Sequence, residues 1–365
     1  MKKLNRKVSR FKGFTVGLDV HKKFIEYCVL DNNGDDAEGG RIGSTHKDLE
    51  ALIARLKKKS PRLQVSLEAC GCFIWIFDVL AKELGRDAVH VAQPSRIRVI
   101  ANSMEKNDAN DAWWLAYLLY ECRLPEAFVA EGSLRDLRVA SRELRCWVNQ
   151  RSDLLRRFKS HLAQAGLKVP KNWQASKLGR TKAKEVILQV PAERGRALMI
   201  LLKQIGRLSR QMLYWHKRVE ELSKDLPAVK TLIEEMPGFG PVISGAVVAE
   251  LGEPKRFYNQ KAYAKATGLT PGYRESGGHS SNTRITRQGS RLARWAFTRA
   301  VIGCMRCKSG AGLSIKQWVE RHGKHKPKKK VIVAAARKLA EGVWRLFALG
   351  EAFNLARAFP VRSMA

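Results

Sequence analysis

Asp108 and Asp111 stand three residues apart in E-K-N-D-A-N-D-A-W-W-L-A-Y-L-L-Y, residues 105–120, of a chain that carries 68 Lys and Arg against 34 Asp and Glu. An apolar run follows them, so the pair sits at the mouth of a helix. Residues three apart share a helix face, which sets the two carboxylates side by side. Asp19 ends the apolar, β-branched stretch F-T-V-G-L-D-V, and Glu68 lies near the end of the alternating stretch L-Q-V-S-L-E-A. If the first and fourth strands are neighbours, Asp19 and Glu68 converge, and the helix bearing Asp108 and Asp111 can pack across them. Four carboxylates brought together do not all stay ionised without a cation. Hard oxygen ligands suit Mg²⁺ or Mn²⁺. Two such ions about 4 Å apart activate water or a hydroxyl and stabilise the leaving oxygen of a phosphodiester. Taken singly, Asp19 is more often a turn residue, Glu68 an ion-pair partner and Asp108 a helix cap. The order strand-Asp, strand-Glu, helix-Asp-x-x-Asp is far more specific than any one member.

The surrounding sequence supplies elements able to position them. Residues 14–31 read as two strands, N-N-G-D as a hairpin turn, and G-R-I-G as the end of a third strand. Thr45 with Asp48 reads as a helix N-cap before the stripe Leu49, Leu52, Ile53, Leu56. A strand at 63–69, a helix near 73–84 and a short strand A-V-H-V-A follow. Strands first, then alternating strand and helix, predict a mixed α/β sheet. From about 131 the pattern changes to 3/4 spacing. Positions 137, 141, 144, 148, 151, 155, 158, 162 and 165 form one stripe, interrupted at Ser141 and Arg151. Leu198, Leu201, Ile205, Leu208, Met212, Trp215, Val219 and Leu222 form a second. Two long helices are expected here, as an antiparallel coiled coil or bundle, with the basic stretch 166–190 as the turn region. They serve either as an intramolecular spacer or as a homodimer or homotetramer interface. Beyond 226 the chain reads as helical with loops. The run R-H-G-K-H-K-P-K-K-K at 321–330 reads as a basic loop, and 331–347 as a core helix. The expected domains are 12–125, 131–225 and 226–350, followed by a tail at 351–365.

The bulk composition fits a polyanion-binding protein. The 365 residues carry a formal charge of +34, with a pI near 10.3, and nucleic acid is the commonest partner for such an excess. No apolar run is long enough to span a bilayer, and the basic N-terminus lacks the apolar stretch of a signal peptide. Seven scattered cysteines include a lone C-x-x-C at Cys304 and Cys307, short of the four ligands of a zinc site. A cytoplasmic protein with buried, reduced thiols is expected.

G-L-D-V-H-K at 17–22, L-E-A at 67–69 and K-N-D-A-N-D-A at 106–112 resemble the DEDD signature of the IS one-ten family of insertion-sequence transposases, related to the Piv DNA invertases. The resemblance implies a RuvC-like, ribonuclease-H-type domain with Asp19, Glu68, Asp108 and Asp111 as metal ligands. Independently, I-E-E-M-P-G-F-G-P-V-I-S-G-A at 233–246 has the form of a helix-hairpin-helix. There Gly238 and Gly240 would let backbone N–H groups approach a phosphate at the next helix N-terminus. A-T-G-L-T-P-G-Y-R-E-S-G-G at 266–278 and R-I-T-R-Q-G-S-R-L-A-R at 284–294 resemble the family's transposase domain. The resemblance spans roughly 14–125 and 226–350, and implies that Ser276 is a nucleophile. The residues alone would not select it over Ser280 or Ser281. A serine hydroxyl needs activation, which the resemblance implies comes from the carboxylate site of another protomer. Arg287, Arg291 and Arg294 recur at helical spacing and, with Arg284, form a candidate phosphate clamp or a solvated face.

These readings together describe a DNA transposase or recombinase that cuts and rejoins DNA. The resemblance also implies guidance by a structured RNA. A metal-dependent, junction-resolvase-like nuclease is the alternative, with Ser276 merely structural. A non-enzymatic nucleic-acid-binding protein and an actin-like kinase are more distant rivals.

Overall fold

The computed structural model describes residues 12–94, 96–97, 107–169, 173–174, 177–276 and 279–360, with the side chains of 273–276 and 279–284 left undescribed. The chain divides into two compact units, 1–129 and 130–365.

The first unit is built on β1 (Phe14–Val20), β2 (Phe24–Leu30), β3 (Asp36–Gly43), α1 (His46–Lys59), β4 (Leu63–Glu68), α2 (Phe73–Leu84), β5 (Val89–Ala92) and α3 (Asp108–Tyr120). The five strands form one mixed sheet in the order β3-β2-β1-β4-β5. β1, β2 and β3 are antiparallel neighbours, while β4 runs parallel to both β1 and β5. Alternation sorts the strand residues by face. Val16, Leu18, Ile25, Tyr27, Val65 and Leu67 enter one core with α1 and α2. Cys28 and Leu30 point the other way and pack on Ala112, Ala116 and Tyr120 of α3. Thr45 caps α1, its hydroxyl accepting from the Asp48 N–H at 3.2 Å.

Gly17 sets how closely α3 can lie on the sheet. A Cβ there would stand 2.0 Å from the Ala112 carbonyl oxygen and 2.5 Å from the Ala116 nitrogen. Only glycine permits this approach, and Ala112 and Ala116 are the small residues that meet it.

The second unit begins with α4 (Gly132–Gln164), α5 (Lys177–Leu188) and α6 (Ala192–Ser223). α4 and α6 pair antiparallel. Leu137, Ala140 and Leu144 near the start of α4 share a cluster with Val219, and Phe158 and Leu162 near its end share one with Leu198, Leu201 and Ile205. The stretch 166–190, expected as a turn region, holds α5, whose Ala183 and Ile187 are buried with Trp173 against α6. Its few apolar residues lie among Lys and Arg, so no stripe is visible in the sequence.

The rest of the unit comprises α7 (Pro227–Glu235), α8 (Pro241–Leu251), α9 (Gln260–Ala266), the hairpin β6 (Pro271–Ser276) with β7 (His279–Ile285), α10 (Arg291–Cys304), α11 (Gly310–Gly323), α12 (Lys328–Leu349) and α13 (Leu355–Ala358). The region is mainly helical, as expected, and the hairpin is an element the sequence reading did not include. The basic run 321–330 is also not one loop: it spans the end of α11, four connecting residues and the start of α12, whose N-cap is Pro327. Pro is well suited to a helix start, which lets a helix begin inside the basic run. α12 packs Val331, Ala335, Leu339 and Val343 into the core, and Phe359, in the segment read as a tail, is buried with them. All seven cysteines are free. Only Cys28 and Cys304 are buried, whereas Cys122 and Cys146 are exposed, which corrects the expectation of uniform burial. Burial pushes the Cys28 thiol up to about 11 and the Cys304 thiol up to about 12, so both stay protonated at neutral pH.

Candidate functional site

The strand register assembles a row of polar side chains on the α3 face of the sheet. Gly17 faces α3, so Asp19, two residues on, shares that face. Leu18 pairs with Leu67 in the parallel ladder, and Asp19 and Glu68 are the residues that follow them on the neighbouring strands β1 and β4. Asp19 pairs with Glu26, and Glu26 with Arg41. The row therefore reads Asp19, Glu26, Arg41 across β1, β2 and β3, with Glu68 at the end of β4, the strand on the other side of β1.

α3 brings Asp108 and Asp111 to this row in its first turn. Asn107 is the N-cap, its side-chain oxygen accepting from the N–H groups of Ala109 at 2.7 Å and Asn110 at 3.2 Å. Both carboxylates are thus free of capping duty, and they also favour the positive end of the helix dipole. Ala112 and Ala116 seat the next two turns at Gly17.

His21, just past β1, links two of the carboxylates. Its Nε2 lies 2.9 Å from Asp19 Oδ2 and 3.5 Å from Asp108 Oδ1. Ligand atoms of Asp19, His21 and Asp108 all lie within 4.8 Å of one another. Burial pushes the Asp19 carboxyl above its usual range. The His21 hydrogen bond and charge oppose the shift, and the charges of Asp111 and Asp108 add to it. A divalent cation would relieve both the burial of this charge and the repulsion among the carboxylates, and their oxygens suit such an ion. The residues fit a bound metal. His21, Glu26 and Arg41 were not singled out from sequence. The two-residue spacing from Asp19 to His21 and the short turn between β1 and β2 were the signals that could have found them.

In the second unit, α7, a turn and α8 cover the stretch read as a helix-hairpin-helix. Gly238 has φ +80°, and a Cβ there would stand 2.3 Å from the Ala300 carbonyl oxygen. Its glycine character therefore serves packing against α10. Gly240 caps α8, and a Cβ there would meet nothing within 4 Å, so this side is open to a ligand.

Ser276 closes β6 and pairs in register with His279, while the intervening Gly277 and Gly278, and the side chains of Ser276 and Arg284, lie outside the described residues. Arg287 departs from the helical spacing expected of it. It precedes α10 and adopts φ +56°, a left-handed conformation that disfavours a residue bearing Cβ. Arg294 holds this turn, donating to the Arg287 carbonyl at 3.2 Å and the Thr267 carbonyl at 3.3 Å. Arg291, the first residue of α10, is exposed.

Glu250, at the end of α8, anchors the start of α10. It is 4 % exposed and accepts from Arg142 Nε at 2.6 Å and from the Ser290 hydroxyl at 2.7 Å, with Arg138 Nε at 3.4 Å. Ser290 is also the N-cap of α10, accepting from the Ala293 N–H at 3.0 Å. One buried carboxylate thus joins α4, α8 and the start of the Arg291 helix.

The sheet and its acidic cluster define a basic protein with a metal-suited carboxylate site, and comparison with known proteins resolves the class further. A DEDD transposase model of the IS110 group, described as "Transposase", matches residues 16–166, and a model described as "Transposase IS116/IS110/IS902 family" matches residues 230–314. A putative transposase y4pF/y4sB of Sinorhizobium fredii is 25 % identical over 316 residues, covering 83 % of this chain and 78 % of that protein. The insertion element IS116 uncharacterized 44.8 kDa protein of Streptomyces clavuligerus is 24 % identical over 200 residues, covering 51 % of this chain and 48 % of that protein. The transposase for insertion sequence element IS1328 of Yersinia enterocolitica is 24 % identical over 161 residues, covering 42 % and 48 %. The chain belongs to the IS110 family of insertion-sequence transposases and is a DNA transposase. Among its described residues, no helix is long and apolar enough to cross a membrane.

Proposed function

We propose that the first unit is a ribonuclease-H-type catalytic domain in which Asp19, Glu68, Asp108 and Asp111 hold Mg²⁺ or Mn²⁺. The observation that carries this reading is the meeting of Asp19 and Asp108 at His21, with Glu68 at the end of the strand that runs parallel beside β1. The bound metal would polarise the scissile phosphodiester and offset charge on the leaving oxygen. The chain's own residues do the positioning: α3 presents Asp108 and Asp111, and Gly17 fixes its distance from the sheet.

Ser276 is the nucleophile of this reading. Its hydroxyl oxygen attacks phosphorus, forming a P–O bond to the protein as the bond to one DNA strand end breaks. A DNA hydroxyl then attacks the same phosphorus and releases the serine, completing transfer. Covalent catalysis of this kind conserves the phosphodiester energy between cleavage and rejoining. Gly240 and Arg284, Arg287 and Arg291 are proposed contacts to nucleic-acid backbone, with Arg294 supporting the Arg287 turn. The formal charge of +34 supports both a DNA substrate and a structured guide RNA. The paired α4 and α6 are the proposed homodimer or homotetramer contact, through which one protomer's serine reaches another's carboxylates.

Titrating the full chain with Mn²⁺, followed by electron paramagnetic resonance, tests the metal site. Asp19→Asn and Asp111→Asn should each weaken binding by about 10-fold or more, on the scale seen when metal-site residues are altered. Affinity unchanged in both variants would move the metal away from this cluster.

A further inference from the structure

Beyond the four carboxylates, the row on the α3 face ends in a cation. Arg41 of β3 donates from Nε to Glu26 at 2.7 Å. Its guanidinium lies over the Phe24 ring at 3.9 Å from the centroid, and its Nη2 is 4.0 Å from Asp108 Oδ2. The same Phe24 ring stacks on His21 at 4.6 Å. One aromatic side chain thus steadies both nitrogen groups that approach Asp108.

This arrangement anchors the Nε side and one face of the guanidinium without covering it. Glu26 is 14 % exposed and fixes the Nε side, whereas the Arg41 side chain is 56 % exposed. Guanidinium has five N–H donors in a planar fork, so the terminal N–H groups remain open to a ligand. Their fork matches the oxygens of a phosphate, and pre-organisation lowers the entropy lost on binding. A cation fixed beside a site for divalent metal would repel the metal, so neutralising Asp108 is a poor account of its placement.

We propose that Arg41, held by Glu26 and Phe24, binds a backbone phosphate of the nucleic acid beside the carboxylate site. The inference rests on the reading of that site as the metal-holding catalytic centre. Arg41 is a substrate-positioning residue in this scheme, and Glu26 acts through it.

The test pairs two measurements on the full chain. Binding to a duplex DNA oligonucleotide is followed against salt concentration in Ca²⁺, and Mn²⁺ affinity is measured separately. Each phosphate contact contributes roughly 0.9 to the slope of log affinity against log salt. Arg41→Ala should lower the slope by about that amount, with Mn²⁺ affinity equal or tighter. Arg41→Lys, which keeps the charge and a partner for Glu26, should retain the slope. An unchanged slope in Arg41→Ala overturns the proposal. A lowered slope with weakened Mn²⁺ binding also overturns it, by making Arg41 a support for the carboxylates. If Asp108→Asn leaves Mn²⁺ affinity intact, the metal reading fails by itself, whatever Arg41 does.

Discussion

Gly17→Ala is expected to dislodge α3 and abolish divalent-cation binding together. The added Cβ would fall 2.0 Å from the Ala112 carbonyl oxygen, 2.5 Å from the Ala116 nitrogen and 3.0 Å from Leu115 Cβ. Two of these atoms are backbone and cannot turn aside as a side-chain tip would. Either the helix lifts or the sheet bends. Overpacking a core usually costs about 1–3 kcal/mol, and a rigid backbone neighbour sets this case at about 3 kcal/mol or more. Asp108 and Asp111 lie in the turn just before Ala112, so lifting the helix draws them away from Asp19. Thermal melting and Mn²⁺ titration read the two effects. Gly71→Ala is the control: it follows Glu68 closely, and a Cβ there meets nothing within 4 Å. That variant should stay within about 0.5 kcal/mol of wild type. Wild-type melting and metal affinity in Gly17→Ala would contradict the assigned packing of α3.

Glu250→Ala is expected to cost about 3 kcal/mol, near the lower end for breaking a buried ion pair by removing one partner. The lower end applies because Arg142 is 56 % exposed and can turn to water, whereas Arg138, 21 % exposed, cannot do so as freely. For a unit of this size the loss lowers the melting temperature by roughly 6–12 °C. The pH dependence has a definite sign. Burial alone would raise the Glu250 carboxyl. The Arg142 hydrogen bond, the charges of Arg138 and Arg142 and the Ser290 hydroxyl outweigh it and hold the group below the usual carboxylate range. A carboxyl lowered in the folded state stabilises above its unfolded pKa and loses that contribution as pH falls through the folded value. The melting temperature should therefore fall as pH drops below about 4.3, the ordinary glutamate value. Glu250→Gln should melt lower at neutral pH and converge on wild type in acid. Parallel curves for the two proteins would show that Glu250 is not held ionised by its partners.

Much of the first unit was legible because its central strands are short apolar, β-branched runs bounded by turn residues and its helices carry compact stripes. Asp19, Glu68, Asp108 and Asp111 stood out because acidic residues at element ends are conspicuous in so basic a chain. Strand-to-strand pairing was less legible. Glu26 and Arg41 look like ordinary surface residues until the antiparallel register sets Glu26 beside Asp19 and Arg41 beside Glu26. His21 lies within the motif G-L-D-V-H-K, yet its contact with both Asp19 and Asp108 depends on where α3 lands, which Gly17 decides. In the second unit, the long α4 and α6 follow from sustained 3/4 spacing. α5 did not, because Ala183 and Ile187 lie among Lys and Arg. The β6–β7 hairpin is polar on both strands, P-G-Y-R-E-S and H-S-S-N-T-R-I, so no hydrophobic alternation announced it. Arg287 kept helical spacing in the sequence, but the Gln288-Gly289-Ser290 segment allows a turn first, and Ser290 starts the helix afresh.

The central claim of the proposed function is that excision needs both the carboxylates and Ser276, one protomer's serine acting with another's carboxylates. The direct measurement is excision in cells, with the gene cloned between its native flanks and the circular junction amplified. Wild type, Asp108→Asn and Ser276→Ala are compared side by side. The account predicts a junction from wild type and its loss from both variants. A junction that survives Ser276→Ala while disappearing in Asp108→Asn would contradict the serine step and leave a metal-dependent nuclease.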